Sequence, residues 1–185
     1  MMIRTFIALE IPDDVLNQLL NIIGDKIGEL QNVKWESREK LHLTLKFLGD
    51  TKKELIETYI SAIESITKKY SSLNLSFNHF GVFRKGNEPK IFWVGLHENR
   101  KLNEMVSEIE MAFSKFGFNR ENRKYQPHLT LLRFRGYEDS EKILSLTEVN
   151  LPLIKFIANK ITFYESKLLP SASVYREIKN FYLKN

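Results

Sequence analysis

The sequence predicts a duplicated fold of mixed helices and strands, two similar lobes joined without a linker. Three observations carry that expectation. The tetrapeptide HLTL occurs twice, at residues 42–45 and 128–131, 86 residues apart. With four histidines and eight threonines in 185 residues, chance would supply a His-x-Thr triplet only roughly 0.2 times. The apolar patterns around the copies also run in the same order, strand, helix, strand, helix, strand. Finally, no Pro/Gly/Ser-rich or low-complexity tract separates the halves, so residues 1–185 are expected to form one domain of two pseudo-symmetric lobes, each with one His-x-Thr.

The elements follow in order. "MIRTFIALEI" alternates and is rich in β-formers, a strand that ends at Pro12. Pro12 at a first helical position, Asp13 and Asp14 in the first turn, and Leu16, Leu19, Leu20, Ile23, Ile27 and Leu30 at helical spacing predict a helix to about residue 30. "VKWES" leads into the first HLTL strand. Thr51 and Glu54 have the spacing of a capping box for a helix to about Tyr70. "LNLSFNHFGVF" and "KIFWVGLH" are strands around the hairpin-like "RKGNEPK", and close the first half. A helix over about 100–116, with Leu102, Met105, Ile109, Ala112 and Phe116 inward, precedes the second HLTL strand. A shorter helix over about 138–147 and the β-rich "FIANKITFYESKLL" and "VYREIKNFYLK" complete the second half.

Composition narrows the function classes. A chain 43% hydrophobic and 12% aromatic folds rather than staying disordered. Zero cysteines exclude disulfides, thiolate metal sites and thiol nucleophiles. No apolar run approaches 18 residues and the N-terminus lacks a signal peptide's pattern, so a cytoplasmic protein with no membrane span is expected. The net charge of +5 leans towards anionic partners such as nucleotides or RNA, although the lysines are scattered.

The repeated motif carries the chemistry. Along a strand, side chains alternate, so His42, Thr44 and Lys46 share one face while Leu41, Leu43, Leu45 and Phe47 share the other. The same count puts His128 with Thr130 and buries Leu129 and Leu131 behind them. Two imidazoles flanking one substrate suit a general acid and a general base near neutral pH. Two hydroxyls can hold phosphoryl oxygens while charge develops there. That set is enough to open a strained cyclic phosphate without a cofactor. Neither HExxH nor HxH occurs, and no carboxylate set stands near either histidine in the sequence, so no metal is expected. His79 and His97 lack a threonine two residues on and are read as ordinary surface or core histidines.

"RTFIALEIP", "HLTLKFLGD" and "PHLTLLRFR", in that order over nearly the whole chain, resemble the two-histidine (2H) phosphoesterase superfamily, in particular its RNA 2′,3′-cyclic phosphodiesterase branch, also called the 2′-5′ RNA ligase or LigT-like family. The late "SKLLPSASVY" resembles that family's Ser-x-Leu element with a following Tyr, with Ala172 where members often carry Gly. The resemblance implies an α+β bilobal fold in which two antiparallel β-sheets form a central groove with helices packed outside. It implies hydrolysis of RNA or nucleoside 2′,3′-cyclic phosphates to 2′-phosphomonoesters by a monomer without metal or other cofactor. It gives His42 the role of the acid that protonates the departing 3′ oxygen, His128 that of the base that activates water, and Thr44 and Thr130 that of phosphate-holding hydroxyls.

Arg133 poses a conflict. The family has a basic residue there, associated with the phosphate, yet strict alternation turns Arg133 away from His128, so a bulge or strand end is needed to bring it round. Phe6, Phe47, Phe92, Trp93 and Tyr125 are the aromatic candidates for stacking a base, and alternation sends Phe47 to the core. The competing functions are a 2′-5′ RNA ligase joining RNA halves, a non-catalytic RNA-binding module and a metal-dependent hydrolase.

Overall fold

The computed structural model describes residues 1–28, 30, 33–169 and 173–184. The elements are β1 (Met2–Glu10), α1 (Asp13–Ile27), β2 (His42–Lys52), α2 (Ile56–Thr67), β3 (Leu73–Lys85), β4 (Glu88–Leu96), α3 (Arg100–Ser114), β5 (His128–Arg133), α4 (Ser140–Ser145), β6 (Lys155–Ala158), β7 (Lys160–Leu168) and β8 (Ser173–Tyr182). Ala172 lies outside the described residues.

Helix boundaries are set by caps. α1 starts after Pro12 with Asp13 and Asp14 in its first turn, and stops three residues short of the expected end. Gly28 adopts φ 63°, and its N–H turns back to the Gly24 carbonyl at 2.7 Å. A glycine takes that conformation without steric cost, so the helix ends there. The capping box does not form. Thr51 belongs to β2, where its buried hydroxyl meets that of Thr5 at 2.7 Å and bonds the Gly49 carbonyl at 3.0 Å, and a 3-10 turn over Lys53–Leu55 precedes α2. Asn99 caps α3 by accepting from the Leu102 N–H at 3.0 Å, and Asp139 does the same for α4 with Lys142 at 3.1 Å.

The strands form an antiparallel, eight-stranded sheet in the order β6-β3-β4-β5-β2-β1-β7-β8. Four-stranded halves meet at the centre, where β2 and β5 pair through Leu43 and Leu129. The two HLTL segments therefore lie side by side at the seam.

The halves of the sheet are not the halves of the chain. β3 and β4, expected to close the first half, join β5 and β6, whereas β7 and β8 cross back to β1. The β3–β4 hairpin itself turns as read, through Gly86 and Asn87 between the paired Lys85 and Glu88. Its edge of attachment depends on packing and leaves no mark in the local pattern.

All four helices bury their apolar stripes on one face of the sheet. One hydrophobic cluster joins Leu19 and Ile23 of α1, Ile63 of α2, Ile109 and Phe113 of α3 and Ile143 of α4 to Ile7, Leu9, Leu43, Leu129 and Leu131. On the other face Phe6, Ala8 and Tyr164 form a separate small cluster with Tyr175 against it. That helix-free face carries both histidines. Among the described residues no helix is long and apolar enough to cross a membrane.

Candidate active site

Each motif strand leaves a residue unpaired at the same place, and β2 leaves a second one, Leu48, further on. On β2, Thr44 pairs with Ala8 and Lys46 with Ile7, leaving Leu45 as a bulge. On β5, Thr130 pairs with Trp93 and Leu132 with Phe92, leaving Leu131 as a bulge. A bulge inverts the side-chain alternation beyond it. Arg133 consequently comes to the face of His128 and Thr130, opposite Ile91, and the conflict with strict alternation is resolved.

In β2 the same inversion corrects two expectations. Lys46 leaves the histidine face, is buried, and extends Nζ to Glu110 of α3 at 2.7 Å and to the Asn119 carbonyl at 3.1 Å. Phe47, expected in the core, lies across from Phe6 on the open face, 51% exposed, with the Arg4 guanidinium 4.7 Å from its ring centre. Its exposed ring is the one among the five stacking candidates free to meet a base. Phe6 lies under His42, Phe92 is fully buried against Phe80, Trp93 packs near His128, and the Tyr125 hydroxyl donates to the Thr44 carbonyl at 3.0 Å.

The antiparallel pairing at Leu43 and Leu129 sets position 42 alongside position 130, and position 44 alongside 128. Each motif's histidine is therefore brought next to the other motif's threonine. Thr44 is exposed and Thr130 half-buried. Arg133 acts electrostatically on both histidines and is held by Glu36, whose carboxylate lies 3.2 Å from Nε.

The imidazoles differ in their surroundings. His42 is only 7% exposed. Its ring stacks on Phe6 at 5.0 Å and Tyr164 at 5.7 Å, and Tyr175 meets it edge-on at 5.5 Å. Its Nδ1 is buried without a hydrogen-bond partner. Burial, and secondarily the Arg133 charge, lower its pKa to about 4. His128 is half-buried, with Phe83 edge-on at 4.9 Å and Trp93 at 6.1 Å. Its Nδ1 lies 2.9 Å from the Gln126 carbonyl, which selects the tautomer with Nδ1–H donating and leaves Nε2 as the free base. Burial lowers its pKa from 6.5, the Gln126 carbonyl opposes that, and Arg133 adds a smaller downward push. Both rings are neutral in the free protein at pH 7.

A family model described as the 2′-5′ RNA ligase superfamily matches residues 20–168. The chain belongs to this superfamily. Relatives include a Thermotoga maritima protein, 29% identical over 174 residues that cover 94% of this chain and 91% of the relative. Another, from Methanocaldococcus jannaschii, is 28% identical over 180 residues, 96% of this chain and 99% of its own. Both are named RNA 2′,3′-cyclic phosphodiesterase. In fold, the chain matches the TT0787 protein of Thermus thermophilus with a TM-score of 0.81 at 19% identity, covering 98% of each chain. E. coli LigT complexed with 3′-AMP superposes with a TM-score of 0.77 at 20% identity over 100% of both chains. For this superfamily member, the α+β fold of two antiparallel sheet halves with helices on the outer face is thereby shown.

Several site residues were out of reach of sequence reading. Glu36 reaches Arg133 from the segment before β2. Tyr164, on β7, donates its hydroxyl to Glu10 at 2.8 Å, and burial raises the Glu10 carboxyl above its ordinary value. The Ser-x-Leu element was visible, and Ser166 pairs directly with Tyr175 across β7 and β8. Tyr164 had no signal beyond a β-rich run. Among the described residues, no group of three or more His, Cys, Asp or Glu side chains is placed to hold a metal ion.

Proposed function

We propose that the chain hydrolyses RNA or nucleoside 2′,3′-cyclic phosphates to 2′-phosphomonoesters, with His42 and His128 as the acid–base pair and no metal. The observation that carries this reading is the Leu43–Leu129 seam, which brings both His-x-Thr strands together on the open face of one sheet. The names of the near full-length relatives support the same activity.

In the reaction, water attacks phosphorus and the P–O3′ bond breaks. His128, its Nδ1–H committed to the Gln126 carbonyl, uses Nε2 to take the proton from water. His42 delivers a proton to the departing O3′. Thr44, Thr130 and Arg133 hold the phosphoryl oxygens as negative charge gathers on them. The reactive form carries one proton shared between the two histidines. A bound phosphate opposes the push of Arg133 on His42 and favours protonation there.

With the 5′-hydroxyl of a second RNA half in place of water, the same groups would join two halves. His128 takes the proton from O5′, O5′ bonds to the phosphorus of the 2′,3′-cyclic phosphate, and P–O3′ breaks with the proton from His42, leaving a 2′-5′ linkage, the activity in the superfamily's name. Incubation of two RNA halves, with the products resolved by length, tests that reaction. The groove is built from strands of one chain, which supports a monomer, and light scattering checks it; an RNA substrate fits a cytoplasmic location.

The main test is incubation with a nucleoside 2′,3′-cyclic phosphate in excess EDTA, resolving the 2′- from the 3′-monophosphate. The 2′-product is expected. Formation of the 3′-product, or activity that needs added zinc, would overturn the mechanism.

A further inference from the structure

Beside the histidines lies a cavity of about 420 Å³ that the hydrolytic mechanism does not use. Arg133 and Tyr175 belong to both places, since Arg133 acts on both imidazoles and Tyr175 meets the His42 ring. The cavity therefore adjoins the histidine groove through these two residues.

Its lining is strongly cationic. Lys34, Lys40, Arg133 and Arg135 face a single carboxylate, Glu36. That carboxylate is already engaged, with Oε1 3.2 Å from Arg133 and Oε2 3.6 Å from Lys40. Lys34 and Arg135 have no ion-pair partner among the described residues. Two further cations thus converge on a space where no acid neutralises them.

The wall is built rather than incidental. The segment that carries Lys34 and Glu36 is pinned to β5 by a bridge between Trp35 and Leu132. The Glu36 N–H also donates to the carbonyl of Leu131, the bulged residue, at 2.8 Å. Trp35 packs edge-on against Phe92 at 6.2 Å. The bulge that turns Arg133 inward therefore also anchors the segment of Lys34, which lines the same cavity as Arg135.

We propose that this cavity is a second phosphate subsite, which takes the phosphate on the 5′ side of the nucleotide that bears the cyclic phosphate. The proposal rests on the phosphodiesterase reading of the histidine groove. A strand with its terminal phosphate between the histidines continues past Arg133 and Tyr175 into the cationic cavity. Phosphate contacts position a strand without reading its bases. The subsite accordingly favours a chain end over a free nucleoside cyclic phosphate, whatever the terminal base.

Three substrates separate the contributions: a nucleoside 2′,3′-cyclic phosphate, the same compound with a 5′-phosphate, and a short oligoribonucleotide with a 2′,3′-cyclic phosphate end. The unsubstituted protein is expected to prefer the 5′-phosphorylated compound by about tenfold in kcat/KM, the scale of one charge-assisted hydrogen bond. Lys34→Ala with Arg135→Ala should abolish that preference while leaving kcat/KM for the plain nucleoside cyclic phosphate unchanged. The oligoribonucleotide should behave like the 5′-phosphorylated compound. Preference for the oligoribonucleotide alone would place the contact further along the strand and overturn the assignment.

A binding measurement stands independently of turnover. The affinity of an oligoribonucleotide ending in a 3′-phosphate is measured against salt for both proteins. Loss of two phosphate-neutralising cations should reduce the slope of log K against log salt by about 1.4, taking roughly 0.7 per charge on a single strand. An unchanged slope would overturn the subsite even in a protein that turns over every substrate. No turnover of any substrate together with the reduced slope would instead overturn the hydrolytic reading and leave the cationic site standing.

Discussion

His42 and His128 open the same four letters, yet His42 stacks on the faces of Phe6 and Tyr164 while His128 meets Phe83 and Trp93 edge-on. The strands that bear them remain alike down to the bulged leucine, and the differences come from what lies across from each strand. Glu10 stands opposite His42 where Gly95 stands opposite His128; Ala8 stands opposite Thr44 where Trp93 stands opposite Thr130. Beyond the bulge, Lys46 and Phe47 correspond to Leu132 and Arg133. The duplicated geometry supplies two equivalent imidazoles, and neighbours on other strands make them unequal. His42 has lost solvent and lacks a partner at Nδ1, so its neutral form dominates, whereas His128 keeps a carbonyl that fixes its tautomer and favours its cation.

The largest effects should come from removing either ring. His42→Ala and His128→Ala are each expected to reduce kcat by about 10²- to 10⁴-fold, the range of general acid or base catalysis, in a cyclic phosphate assay. A near-normal rate in one variant would reduce the pair to a single working histidine.

Next in size is Arg133→Gln. It should lower kcat/KM by on the order of ten- to a hundredfold through the lost phosphate contact. Because Arg133 depresses both histidines, the variant should also move both limbs of the pH profile upward. Loss of rate with unmoved limbs would mean that Arg133 touches substrate without acting on the imidazoles.

The pH profile of the unsubstituted protein sharpens the comparison further. The productive form holds one proton on the pair, so its population peaks between the two free-protein pKa values. One is about 4 and the other is lowered from 6.5, so kcat/KM should be bell-shaped with its maximum on the acid side of pH 6.5. A maximum above pH 7 would show that the burial of His42 does not depress its pKa in solution.

The smallest effect is structural. Lys46→Leu gives β2 the apolar residue that β5 carries at the corresponding place, Leu132. It removes the ion pair with Glu110 and leaves a mostly buried carboxylate without its partner. The expected cost is about 1–3 kcal/mol in denaturant unfolding, with catalysis unchanged because Lys46 faces the helices. No loss of stability would mark the pair as expendable.

The sequence disclosed what is local. The repeated HLTL, its strand character and the partnership of each histidine with a threonine two residues on follow from period and composition alone. Lys46 and Phe47 were misplaced because a bulge has no signature in a single sequence: strict alternation holds as far as Leu45 and fails one residue later. Thr51 looked like a helix cap because its spacing to Glu54 is right, but a hydrogen bond to Thr5, 46 residues earlier, takes its hydroxyl. Glu36 and Tyr164 reach the site through tertiary packing and stayed invisible. Gly28, by contrast, was a readable stop signal, and the helical periodicity of Leu30 overrode it.

The crossing of strands between the halves sets an order of assembly during synthesis. Everything the His128 half needs, β3 to β6, has been synthesised once Ala158 is added, whereas β1 and β2 must wait for β7 and β8, with Thr5 pairing to Glu165. The side of the groove made first is thus finished last. A nascent or truncated chain that stops before β7 has no Tyr164 or Tyr175 to enclose His42, so it would expose that imidazole to solvent and lack the paired site. Synthesis of the final strands is the step that confers competence on the molecule.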